Sequence, residues 1–163
     1  MGPRIRVLVV DDSAAVRRLL SDTLSAEPDL EVVGTAGTGR LGLTKVEQLR
    51  PDLVTLDVEM PDMSGLAFLE ELRKTERKLP VIMFSSLTER AGATTLEALA
   101  RGASDYVTKP SKVGSREEAV EQLRGSLITK IRTLCGRHDP AKDRPFSGQF
   151  EPPRDNARPA QQQ

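Results

Sequence analysis

The run Leu-Val-Thr-Leu-Asp-Val-Glu-Met-Pro-Asp-Met-Ser-Gly at 53–65 puts an acid, Asp57, at the exit of a short apolar stretch and follows it with a loop containing Pro61 and Gly65. A second pair of acids, Asp11 and Asp12, ends the first apolar run of the chain, from Ile5 to Val10. Short apolar runs bounded by turn formers read as strands buried on both faces, and ligands of parallel sheets sit outside the carboxyl ends of such strands. If the two strands are parallel neighbours, the carboxylates converge. Like charges at about 4 Å cost on the order of 4 kcal/mol even at an effective dielectric near 20, so a cation must hold them. Oxygen ligands with no supporting His or Cys favour a hard ion, and a partial cage open to water and phosphate oxygen suits Mg2+ better than Ca2+. Lys109, which follows Tyr106 and Val107 and precedes Pro110, supplies further positive charge.

The elements that must position these groups alternate. Ile5 to Val10 is almost pure β-branched and Leu sequence, as expected of a central parallel strand. Residues 13–26 switch to helical period, with Val16, Leu19, Leu20 and Leu24 on one face. Residues 30–36 read as a second strand and 41–49 as a second helix, ended at Arg50 because a residue before proline avoids the helical region. The Asp57 run is the third strand. Leu66, Leu69 and Leu72 give a third helix, 81–84 a fourth strand ending in Ser85-Ser86, Leu96 and Leu99 a fourth helix closed by Gly102, and Tyr106-Val107 a short fifth strand. Ser115 and Glu118 form a capping box, and Val120, Leu123, Leu127, Ile131 and Leu134 carry one apolar stripe to Gly136. A helix after every strand makes this an α/β chain: a doubly wound (βα)5 parallel sheet with right-handed crossovers and helices on both faces.

The 163 residues carry 24 basic and 24 acidic side chains, so no global field draws the chain to nucleic acid or membrane. No run approaches the roughly 18 apolar residues of a membrane helix, and no secretory signal opens the chain; a cytoplasmic location is expected. The single cysteine, Cys135, lies at helical spacing from Ile131 and reads as a packing or surface residue. Beyond Gly136 the composition shifts, with 5 of the 11 prolines and only Phe146 and Phe150 as large apolar side chains. Residues 1–136 are expected to form one domain, and 137–163 a flexible linker or tail, a linker being expected to lead to a domain absent from this chain.

Val-Asp-Asp-Ser at 10–13, Leu-Asp-Val-Glu-Met-Pro at 56–61, Ser85 and Thr-Lys-Pro at 108–110 together resemble the receiver domains of two-component response regulators. Phe-Ser-Ser-Leu-Thr-Glu-Arg at 84–90 and Gly-Ala-Ser-Asp-Tyr-Val-Thr-Lys-Pro at 102–110 are similar to the regulatory half of the chemotaxis protein-glutamate methylesterases. The resemblance implies a flavodoxin-like fold of strand order 2-1-3-4-5. It implies that Asp57 is phosphorylated by a chemotaxis-type histidine kinase, with Lys109 and Ser85 assisting. Asp12 and Asp57 would bind Mg2+ directly, Asp11 through water, and the Glu59 backbone carbonyl would complete the set. Ser85 and Tyr106 would form the switch. It further implies a C-terminal methylesterase domain and, through it, methyl-accepting chemoreceptors as indirect partners.

Plainer roles stand beside these. Asp11 and Asp12 could be helix caps, Tyr106 an ordinary half-buried strand aromatic, and Ser86 rather than Ser85 could face the site, since strand alternation lets only one do so. The Glu59 side chain is as readily a surface group as a contact to Lys109. A receiver acting alone, a receiver of a DNA-binding regulator, and an aspartyl-phosphate phosphatase are the competing functions; the last uses Asp-x-Asp, and here the second acid is Glu59. Ester hydrolysis is not expected of this chain by itself: there is no Gly-x-Ser-x-Gly elbow, and the only histidine, His138, falls in the expected linker.

Overall fold

Five strands and the helices between them follow one another without exception: β1 (Ile5–Val10), α1 (Ala14–Ser25), β2 (Leu30–Ala36), α2 (Gly39–Leu49), β3 (Leu53–Asp57), α3 (Gly65–Arg73), β4 (Val81–Ser85), α4 (Glu89–Ala100), β5 (Asp105–Thr108) and α5 (Arg116–Leu123). A computed structural model of the chain describes residues 3–86, 88–110 and 114–136; the expected linker at 137–163, with His138, lies outside the described residues. All strands are parallel, in the order β2-β1-β3-β4-β5.

Strand alternation divides the core in two. Leu8, Val10, Val54, Leu56, Val81 and Met83 pack with Phe68, Leu69 and Leu72 of α3 on one face. Ile5, Val7, Val9, Leu53, Ile82 and Phe84 pack with Leu20 and Leu24 of α1 and Leu123 of α5 on the other. A central strand buried on both faces is predominantly apolar, which is why these runs show no polar alternation. Among the described residues no helix is long and apolar enough to cross a membrane.

Every one of these helices starts at a Ser or Thr whose hydroxyl accepts an N–H of the first turn: Ser13, Thr38, Ser64, Thr88 and Ser115. Only Ser115 forms the full capping box. The cap of α1 is Ser13, whose hydroxyl takes the Val16 N–H at 3.2 Å. Asp11 instead accepts the Ser13 N–H at 2.9 Å, so capping α1 does not occupy the Asp12 carboxylate.

Two local expectations are revised. Arg50 does end α2, but in the left-handed region, with φ 50°; the clash with Pro51 closes the right-handed region, and the chain reverses within one residue. The last helix is not regular. A π turn (Arg124–Ile128) separates α5 from α6 (Thr129–Leu134). The wide turn places Leu127 and Ile128 side by side in the core, both buried.

Candidate functional site

The carboxyl ends of β1, β3 and β5 meet at one cavity of about 590 Å3, walled in part by Asp12, Asp57, Glu59, Ser86, Thr94 and Lys109. β1 and β3 pair directly, with Val10 opposite Leu56, so the residues that follow them reach the same height. One carboxylate oxygen from each of Asp11, Asp12 and Asp57 lies within 4.8 Å of the others. Lys109 crosses from the end of β5: its Nζ is 3.1 Å from Asp57 Oδ1 and 3.2 Å from Asp11 Oδ2, and it lies 5.8 Å from the centre of the Phe84 ring. The four groups expected from the sequence to converge do so.

Their electrostatics follow from burial and neighbours. Asp57 is only 4% exposed. Burial, then the negative Asp11 beside it, push its carboxyl up to about 7, against the pull of Lys109, with the hydrogen bond that its protonated form donates to Asp12 adding to the rise. Burial alone would lower the Lys109 ammonium, but Asp11 and Asp57 outweigh it and hold the group above the ordinary lysine value. One ammonium against the acids leaves negative charge over. Asp11 Oδ2 is buried and, apart from the ion pair to Lys109, receives no hydrogen bond. An all-oxygen donor set, surplus negative charge and a buried oxygen short of a donor fit a hard divalent cation.

The other candidates fall into place as follows. The Glu59 N–H donates to Asp57 Oδ1 at 3.3 Å, and Glu59 stands exposed at the cavity wall. Ser85 closes β4 at 5% exposure, its carbonyl taking the Lys109 N–H at 2.7 Å. Of the two serines that follow one another at the end of β4, Ser86 is on the cavity wall and Ser85 is not. Tyr106 is 44% exposed and points away from the core. The Lys130 ammonium lies 5.1 Å over its ring and donates to the Tyr106 carbonyl at 2.8 Å and to Asp105 Oδ1 at 3.1 Å. Leu96 of α4 is more exposed still, at 68%. Cys135 is half-buried against the second core, in keeping with a packing role.

Several residues near the site escaped the sequence reading. Arg17, one turn into α1, donates to the Asp11 carbonyl at 2.8 Å and fills the space over Gly37. Thr94 reaches the wall from α4. Asp62 bonds α2 across the end of the sheet. Gly65 sits so close to the end of β3 that a Cβ there would lie 2.5 Å from the Asp57 carbonyl oxygen, which explains a glycine opening a helix where its flexibility is a cost.

Residues 7–121 match the family model of the response regulator receiver domain. A protein-glutamate methylesterase/protein-glutamine glutaminase of a Nocardioides species is 58% identical over 135 residues, which make up 83% of this chain and 37% of that protein. The protein of the same description from Trichodesmium erythraeum is 50% identical over 135 residues, 83% of this chain and 38% of that protein. The chain therefore spans well under half the length of these relatives. The response regulator domain of Thermotoga maritima CheB superposes with a TM-score of 0.72 at 42% identity, covering 83% of this chain and 99% of that domain. With the parallel 2-1-3-4-5 sheet and the acidic cavity at its carboxyl edge, these likenesses show that the chain belongs to the response regulator receiver family, in the form found as the response regulator domain of CheB.

Proposed function

We propose that this chain is a phosphorylation switch of a chemotaxis-type two-component pathway, accepting a phosphoryl group on Asp57 from a histidine kinase and controlling a C-terminal protein-glutamate methylesterase domain. The observation that carries it is the buried Asp57 carboxylate, flanked by Asp11 and Asp12 and paired to Lys109 at 3.1 Å. An Asp57 oxygen attacks phosphorus, the phosphorus–nitrogen bond of a phosphohistidine breaks, and the imidazole leaves to take a proton from water. Lys109 stands where the oxygens of the transferring group gather charge. Asp12, Asp57 and the Glu59 carbonyl would hold Mg2+, with Asp11 behind them. The ion would neutralise phosphoryl oxygens when bound. The hydroxyl of Ser85 is the proposed contact to the arriving phosphate, and Tyr106 the aromatic that responds to it. The setting proposed is cytoplasmic, with receptor methyl esters as the downstream substrate. The similarity to methylesterases favours this reading over a receiver acting alone, one attached to a DNA-binding domain, or a phosphatase.

Cation binding carries a pH signature. Below about 7 a proton competes with the ion for Asp57, so Mg2+ affinity is expected to climb about tenfold per pH unit up to about 7 and then level. Asp12→Ala should weaken binding at every pH. Calorimetry measures both, and unchanged affinity in the Asp12 variant would remove that residue from the site.

The downstream half of the proposal is tested in trans. Adding this chain to a separately expressed esterase domain is expected to slow release of methanol from methylated receptor, and phosphorylating Asp57 should restore the rate. Ester release indifferent to the chain in both states would favour a receiver that works alone.

A further inference from the structure

The loop between β3 and α3 carries Glu59 and continues through Met60 and Pro61 to Asp62 and Met63. It is fixed at one end by the Gly65 N–H, which donates to the Val58 carbonyl at 2.8 Å. Its far end is held by a different element. Asp62 Oδ1 accepts the Gly39 N–H at 2.9 Å, and Oδ2 accepts the Arg40 N–H at 3.0 Å. These are the first two amides of α2, and the third, of Leu41, goes to the Thr38 hydroxyl at 3.1 Å. The opening turn of a helix presents donors with no partner inside the helix, and a carboxylate is well suited to accept them. Both bonds hold the Asp62 carboxyl below the ordinary range, as expected of an anion bonded by two N–H groups.

A second contact makes this docking specific. Met63 lies over Gly39 so closely that a Cβ at position 39 would meet Met63 Cγ at 2.3 Å and Sδ at 2.7 Å. Gly39 is therefore glycine because the loop rests on it. Asp62 grips the backbone amides on either side of the contact that Met63 makes.

We infer that Asp62 is a positioning residue for phosphoryl transfer, clamping the loop that carries Glu59 to the start of α2 so that the wall facing Asp57 holds its shape. This rests on the phosphoacceptor reading above and adds a residue to it. Asp62 touches neither the phosphoryl group nor the cation. It acts through the loop backbone, as outer-shell partners act on metal ligands, where their loss costs about 10- to 100-fold.

Asp62→Ala should slow labelling of Asp57 by acetyl phosphate, and weaken Mg2+ binding, by about tenfold each. Asp62→Asn should fall between, since one amide oxygen replaces two acceptors. Gly39→Ala should give the same defect by pushing Met63 away, and Gly39→Ala combined with Met63→Ala should recover most of the rate. A merely structural role would not produce that rescue. In the metal-free chain, Asp62→Ala should speed hydrogen exchange at the Gly65 and Gly39 amides while the thermal midpoint changes little. Wild-type labelling rate and Mg2+ affinity in Asp62→Ala would overturn the inference, as would slowed labelling with Gly65 exchange unchanged. A wild-type chain that takes no label would instead overturn the phosphoacceptor reading; the Gly65 exchange rate then decides the clamp alone, and an unchanged rate overturns it.

Discussion

An Asp57→Asn chain takes no label from acetyl phosphate in the presence of Mg2+, whereas the wild-type chain gains the mass of one phosphoryl group at Asp57; intact-mass measurement before and after treatment checks both. The expectation rests on the nucleophile. A carboxylate oxygen carries the charge and lone pairs needed to attack phosphorus, and an amide oxygen is a poor substitute. The neighbouring acids do not replace it, because Asp11 is 1% exposed and already paired with Lys109, and Asp12 is the proposed cation ligand. Equal labelling of the Asn variant would place the nucleophile elsewhere. The same substitution has a second consequence. The carboxyl of Asp57 is raised in the folded chain from 3.8 to about 7. The stability linked to its neutral form is therefore complete below the unfolded value and is lost as pH rises through about 7. An uncharged amide at position 57 escapes that loss, so without metal the Asn variant should melt above wild type at alkaline pH and close to it in acid.

The reason Asp57, Asp11, Asp12 and Lys109 were legible in the sequence is that each lies within two residues of the end of an apolar run. A strand buried on both faces carries few polar residues, so the charged residue at its end marks the edge of the sheet, where the chain can afford an acid. Alternation of strands and helices fixed the class for the same reason. Strand order was a different matter: it depends on which crossovers double back, and it was available only through the resemblance carried by the motifs. The caps at Thr38, Ser64 and Thr88 were missed because the third residue after each is Leu, Ala and Ala, with no Glu to complete a box. The π turn was missed because apolar residues three and four positions apart, as at Val120, Leu123, Leu127, Ile131 and Leu134, are what a regular helix also shows. Asp62 lies 23 positions from its partner Gly39, and nothing local in either segment announces the other. Ser85 and Ser86 stayed ambiguous in sequence because adjacent strand residues differ only in the face they take. In the structure Ser86 is at the wall and Ser85 is nearly buried, so a role for Ser85 at the phosphate requires its hydroxyl to become accessible there when the phosphoryl group arrives.

Replacing Lys109 with methionine keeps most of the side chain's length and its packing on Phe84 but removes the ammonium. Labelling of Asp57 by acetyl phosphate should then slow by about a hundredfold, the scale of losing one fixed electrostatic contact to a charge that develops in the transition state. Some transfer should survive, because Asp57 and its cation ligands are untouched. The unlabelled chain changes as well. Asp11 Oδ2 and Asp57 Oδ1 now face each other without the cation that sits 3.2 Å from one and 3.1 Å from the other. Burial and repulsion from Asp11 remain while the pull of Lys109 is gone, so the Asp57 carboxyl rises above the value of about 7 that it has in the wild type. A raised carboxyl contributes stability at low pH that disappears as pH climbs through its folded value. The thermal midpoint of Lys109→Met should therefore lie near wild type in acid and fall progressively below it in alkali. Mg2+ should narrow that gap, since a divalent ion among the three acids replaces the missing charge by mass action. Melting curves across pH, with and without Mg2+, separate this from a simple packing defect: a midpoint deficit that is the same at every pH and indifferent to the ion would mean that Lys109 acts through its stem and not its charge.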